Sequence, residues 1–244
     1  MGNHQPSITL RSAMDPLSNP LLPLDHAPVL LPVLFDYAAT FIWALSGALI
    51  AARRGLVMIG VVTVAILSAT GGGLLRDGLL LPDQTPLLLT NPFYVLLAIA
   101  AASLVLIFGR RVDRSKYLPV AVHLADALGA GTYAVVGIDR AIAAHLPFVG
   151  IIIVGVVNAT GGALLRDVAM RRVPEMFRPG RPVAFTALTA ALLFSLLALH
   201  FGMHHKEAAF ITISAVFALN LVFLRLNIRS RPLSSFRKYW DSEA

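Results

Sequence analysis

Ala69-Thr70-Gly71-Gly72-Gly73-Leu74-Leu75-Arg76-Asp77 recurs as Ala159-Thr160-Gly161-Gly162-Ala163-Leu164-Leu165-Arg166-Asp167, an offset of 90 residues. The same offset carries Asp36 onto Asp126, Trp43 onto Tyr133, Gly47 onto Gly137, Gly60 onto Gly150 and Pro92 onto Pro182. Between Asp36 and Asp77, fifteen of 42 positions match their counterparts without a gap. Self-similarity at a fixed period marks a duplicated structural unit.

The rest of the chain says where that unit sits. Hydrophobic residues make up 57% and charged residues 14%, with a mean hydropathy of +0.76. A soluble domain carries about 25% charged residues, so composition points to one polytopic, all-α membrane unit. Disorder is excluded by the apolar excess. With no cysteine there is no disulfide framework, thiolate metal site or cysteine nucleophile.

A span needs about 20 mostly apolar residues. Seven segments qualify: Val29–Ala52, Leu56–Leu81, Phe93–Phe108, Leu118–Ile138, Phe148–Met170, Val183–His200 and Ala208–Leu226. Pro92, Pro119, Pro147 and Pro182 stand at or near span starts, where a missing N–H costs nothing. Repeat 1 covers about residues 31–108 and repeat 2 about 118–200, with the seventh helix at 208–226. Residues 1–28 read as a flexible polar tail without a signal peptide's n-region or cleavage site, and 227–244 as a basic tail. Three spans per copy is odd, so the second copy crosses in the opposite sense. This is an inverted-topology repeat, an arrangement that puts critical groups near the midplane of a path. The plainer reading is a duplication kept only for packing.

Charge sets the orientation. The side holding the C-terminus has fifteen Lys and Arg, the other side has Arg11, Arg140 and Lys206, and Arg76 and Arg166 lie inside spans. By the positive-inside rule the C-terminus is cytoplasmic and the N-terminus outside. The net charge of +7 is therefore a topology signal and not a nucleic-acid footprint.

Adjacent glycines weaken a helix. An opened helix is tolerated at membrane depth only beside protein or water. Gly71, Gly72, Gly73, Gly161 and Gly162 are therefore candidates for the waist of a water-filled path. Ser68, Thr70, Asn158 and Thr160 are candidate lining groups whose oxygens replace part of an ion's hydration shell. The alternative is close packing, since small residues let helix backbones approach. Arg76-Asp77 and Arg166-Asp167 follow the glycines. Charges inside spans pair or face a cavity. Depth along the spans puts Arg76 level with Asp36 and Arg166 level with Asp126. The expected pairs are Arg76–Asp36 and Arg166–Asp126, with Asp77 and Asp167 as competitors. They act as charged gates at each end of the path or as structural salt bridges.

No catalytic constellation appears, and the chain is not expected to be an enzyme. Ala-Thr-Gly-Gly-Gly lacks the Gly-Lys-Ser/Thr ending of a phosphate loop. The histidines are scattered, and His200, His204 and His205 read as a solvated turn. No metal or cofactor is expected.

Two glycine motifs at matched positions of three-span repeats, with a seventh helix, resemble the trimeric intracellular cation (TRIC) channels. The resemblance covers about Leu31–Leu226 and is to a bacterial member, in the inner (plasma) membrane. It implies a homotrimer with a pore in each subunit, and potassium as the permeant ion, with sodium as a second candidate. It places the glycine-broken second and fifth spans at the pore waist. Animal members carry Lys-Glu-Val after the fifth-span glycines, linked to phosphoinositide binding; here the residues are Arg166-Asp167-Val168. Membrane lipids, anionic ones on the cytoplasmic side included, are candidate partners. The reading from a different class is a secondary carrier of a small solute such as glycine, because inverted repeats with broken helices also mark alternating-access transporters.

Overall fold

A computed structural model of the chain describes residues 33–81, 85–113, 118–179 and 182–228. The 1–28 tail, the start of the first span at Val29 and most of the basic tail lie outside the described residues. So does the side chain of His123.

The helices are α1 (Val33–Arg53), α2 (Met58–Leu75), the short α3 (Leu87–Thr90), α4 (Phe93–Asp113), α5 (Leu118–Ala143), α6 (Phe148–Ala169), α7 (Val183–Ser195) and α8 (His205–Arg225). π-helical turns extend α2 through Arg76–Leu80 and α7 through Leu196–His200. The seven spans of this all-α membrane fold are thus α1, α2, α4, α5, α6, α7 and α8, with α3 as a one-turn connector. Four of them, Met58–Leu80, Phe148–Ala169, Val183–His200 and His205–Arg225, are long and apolar enough to cross a bilayer by composition alone. Of the other three, α1 buries Thr40 and Ser46 and α5 buries Thr132 and Asp139.

The duplication is visible in backbone detail. Gly55 ends the α1–α2 corner in the left-handed region at φ 72°, and His145 does the same at the α5–α6 corner at φ 54°. The amide of Gly55 donates to the Ala52 carbonyl at 2.9 Å, and that of His145 donates to Ile142 at 2.9 Å. All of these positions are 90 apart. Within each repeat the first two spans pack through a glycine. A Cβ at Gly47 would overlap the Ser68 side chain, and one at Gly137 would come within 2.7 Å of Asn158 Cβ.

The repeats meet where α2 crosses α6. Neither glycine run opens its helix: α2 is continuous from Met58 to Leu75, and α6 from Phe148 to Ala169. The expected break at Gly71–Gly73 and Gly161–Gly162 is therefore corrected to a close crossing. A Cβ on Gly72 would collide with the Asn158 carbonyl oxygen, and one on Gly162 with the Ser68 carbonyl oxygen. A Cβ on Gly71 would sit 3.0 Å from Gly162 Cα, and one on Gly161 2.9 Å from Gly72 Cα. Backbone lies on backbone, which keeps both hydrogen-bond ladders intact and removes the penalty of opening either one.

Steric demand differs sharply along the run. Gly73, whose repeat mate is Ala163, has only the Arg76 side chain near, at 3.7 Å. Gly72→Ala and Gly162→Ala should each destabilise by at least about 1–3 kcal/mol through overpacking, whereas Gly73→Ala should be neutral. Thermal unfolding of the purified protein in detergent checks this, and equal midpoints for all three variants would contradict the crossing.

Candidate functional site

Two small cavities flank the crossing. One holds about 30 Å³ and is lined by Asp36, Thr70, Gly73, Arg76, Asp77 and Tyr133, among others. The other holds about 50 Å³ and is lined by Trp43, Ser68, Asp126, Thr160, Ala163 and Arg166, among others. Asp36/Asp126, Thr70/Thr160, Gly73/Ala163, Arg76/Arg166 and Tyr133/Trp43 are repeat mates, so the two cavities are copies of one site. Each has room for a few waters at most.

The cavities share a charge plan. Arg76 is 2% exposed and Asp77 1%. The Arg76 guanidinium donates to Asp77 through Nε at 2.6 Å and Nη2 at 2.9 Å. Arg166 Nε donates to Asp167 Oδ1 at 3.2 Å. The expected cross-helix pairs are corrected here: both guanidinia take the adjacent carboxylate, the competitor in each case. Side chains one residue apart on a helix do not normally face each other, but the long arginine folds back onto its neighbour in the low-dielectric interior. Asp36 and Asp126 do lie in the same cavities as Arg76 and Arg166. Asp36 accepts a hydrogen bond from the Tyr94 hydroxyl, and Asp126 Oδ1 accepts from Ser46 at 3.0 Å.

The polar groups of the glycine segments divide by role. Thr70 and Thr160 donate to Ile66 and Val156 carbonyls at 2.8 Å, and Ser68 donates to Val64 at 2.8 Å. Their donors are thereby used within the helix, and lone pairs remain to accept water or a cation. Asn158 faces neither cavity. It is fully buried in the crossing, donates to the Tyr133 carbonyl at 2.6 Å and accepts from Arg76 Nη1 at 3.3 Å. Gly71, Gly72, Gly161 and Gly162 form the wall between the cavities and line neither one.

The mouth on the Asp126 side is wider. A cavity of about 370 Å³ between α5, α7 and α8 shares Asp126 and Glu175 with the smaller one. Another of about 310 Å³ carries Arg166, Asp167, Arg172, Glu175 and Arg178. The Asp167 carboxylate also accepts the Glu175 amide at 3.0 Å, fixing this loop to the end of α6. Burial first, and the Arg54 guanidinium second, push Arg172 below the ordinary arginine value. Among the described residues no group of His and carboxylate side chains could hold a metal ion.

Residues 33–110 and 123–199 match the family model described as "Glycine transporter". The chain belongs to that family. A UPF0126 membrane protein of Deinococcus radiodurans is 31% identical over 201 residues, covering 81% of this chain and 91% of the relative. The UPF0126 inner membrane protein YadS of Escherichia coli is 29% identical over 146 residues, covering 59% of this chain and 68% of the relative. A crystal structure of a TRIC trimeric intracellular cation channel orthologue from Rhodobacter sphaeroides superposes with a TM-score of 0.73 at 27% identity, covering 80% of this chain and 98% of that one. This glycine-transporter family member is thus a multi-pass bacterial membrane protein of the TRIC fold. The family model is described as a transporter and the superposed structure as a cation channel.

Trp43 and Tyr133, which the sequence marks only as repeat mates, meet at the centre of the subunit. Their rings stack with centroids 4.6 Å apart and planes 25° from parallel. Their shared offset of 90 was the available signal. Asp77→Asn should destabilise by about 3–5 kcal/mol, because it strands a buried guanidinium. Asp36→Asn should cost much less, since the amide can still accept from Tyr94. Denaturation of the two purified variants side by side tests this; equal losses would contradict the pairing.

Proposed function

We propose that the protein is a monovalent cation channel, potassium-permeable, with a pore in each subunit of a homotrimer. The carrying observation is the pair of repeat-related cavities, each lined by carboxylates and hydroxyl oxygens, on the two sides of the α2–α6 crossing. The Rhodobacter sphaeroides orthologue of the same fold is a trimeric intracellular cation channel, which supports both ion and assembly. The path runs from the Asp36 cavity to the Asp126 cavity. The path is closed beside the glycine crossing, where the Trp43 and Tyr133 rings stack between the two cavities. Asp36, Asp77, Asp126 and Asp167 supply negative charge along the path, and the Arg76 and Arg166 guanidinia neutralise part of it. A monovalent ion is favoured over a divalent one because the Arg76 and Arg166 guanidinia offset the carboxylate charge, and the hydroxyl oxygens suit an ion that dehydrates readily. The excess of Lys and Arg on the C-terminal side supports a cytoplasmic C-terminus. The basic groups around Arg172 and Arg178 suit anionic lipid there.

A second reading has its own support. The family model is described by glycine transport, and two cavities closed from each other are also the resting geometry of an alternating-access carrier. In that reading the Arg76 or Arg166 guanidinium takes the solute carboxylate and the acidic partners take its ammonium.

Planar-bilayer recording of purified protein under a potassium gradient separates them. The channel gives discrete current steps reversing near the potassium equilibrium potential. Electrical silence from folded protein, with saturable uptake and counterflow of radiolabelled glycine in proteoliposomes, would establish the carrier instead.

A further inference from the structure

The two cavities are separated by more than the glycine crossing. Trp43 lines the cavity that holds Asp126 and Arg166, and Tyr133 lines the one that holds Asp36 and Arg76. The rings stack directly, both 5% exposed, in a small cluster with Ala39 and Ala130. Each repeat therefore contributes the aromatic that closes the other repeat's cavity.

The two leaves are held differently. Tyr133 is fixed from three helices. Its hydroxyl donates to the Ala69 carbonyl of α2 at 2.9 Å and shares a 2.8 Å hydrogen bond with Thr40 of α1, and its carbonyl accepts from Asn158 of α6. Trp43 is held by packing alone: its buried Nε1 has no hydrogen-bond partner among the described residues. The indole lies against Gly129 of α5, where any Cβ would overlap Nε1. A buried donor without a partner raises the energy of the closed position. Turning toward the Asp126 cavity, which the ring already lines and which adjoins the larger cavity that shares Asp126, would bring that donor to water and a carboxylate.

We propose that Trp43 is the mobile leaf of an aromatic gate between the two cavities, with Tyr133 as the fixed leaf and Gly129 as the seat of the closed indole. The proposal rests on the two-cavity path described above, and holds for a channel or a carrier. A leaf that moves while its mate stays bonded lets one repeat open without dismantling the Tyr133 network.

The chain has no cysteine, so single thiols report access without background. Thr70→Cys marks one cavity and Thr160→Cys the other. In right-side-out and inside-out vesicles, a membrane-impermeant methanethiosulfonate bearing a trimethylammonium group should react with each from one face only. Adding Trp43→Ala should let each face reach both cysteines, with the far-side modification rate rising roughly tenfold or more as the stack is lost. Gly129→Ala, which displaces the indole, should act in the same direction and serves if Trp43→Ala does not fold. One-sided access unchanged in a folded displaced-indole variant would overturn the gate. The thiol readout does not depend on what is transported. Altered access with no potassium current in bilayers would leave the gate standing and remove the channel reading.

Discussion

The whole arrangement depends on one contact, the backbone-on-backbone crossing of α2 and α6. With no hydrophobic drive between helices inside lipid, association relies on close van der Waals approach. Gly71, Gly72, Gly161 and Gly162 provide it, because a Cβ at any of them would meet the other helix within 3.0 Å. The crossing joins the two repeats, sets the spacing between their cavities and brings Asn158 to Arg76. The small residues allow that approach, and Leu75 and Leu165 each reach across onto the opposite glycine run.

Around that contact the charge is arranged for local neutrality. Each buried guanidinium pairs with the next residue in the chain, so the pair stays together whatever the neighbouring helices do. Asp36 accepts a hydrogen bond from the Tyr94 hydroxyl and Asp126 one from the Ser46 hydroxyl. The two halves are not equal. Asn158 links Arg76 to the crossing and to Tyr133, whereas its repeat mate Ser68 turns back to its own helix. The wider mouth also lies on the Asp126 side.

Several sequence expectations changed for identifiable reasons: His205, read as part of a solvated turn, is buried and hydrogen-bonded to Asp139 at 2.7 Å, because α8 starts against α5. Glycine runs read equally as weak points of a helix and as contact surfaces, since the same missing side chain does both. Which one applies depends on what lies opposite, and here it is another glycine run. The arginine partners were assigned by depth along each span. That placed Asp36 and Asp126 in the right cavities but overlooked how far a long arginine can fold back onto its neighbour.

The sequence by itself determined the class of the protein. Apolar run lengths gave seven spans, and a ninety-residue offset gave two repeats of odd span number. These are properties of composition and period, and they survive any detail of packing. Only the tertiary structure decided that the glycines face one another, that the charge pairs are local and that Trp43 stacks on Tyr133. Those facts depend on which helix faces bury against each other. Periodicity is mute on this in a chain whose helices are apolar toward lipid and toward protein alike.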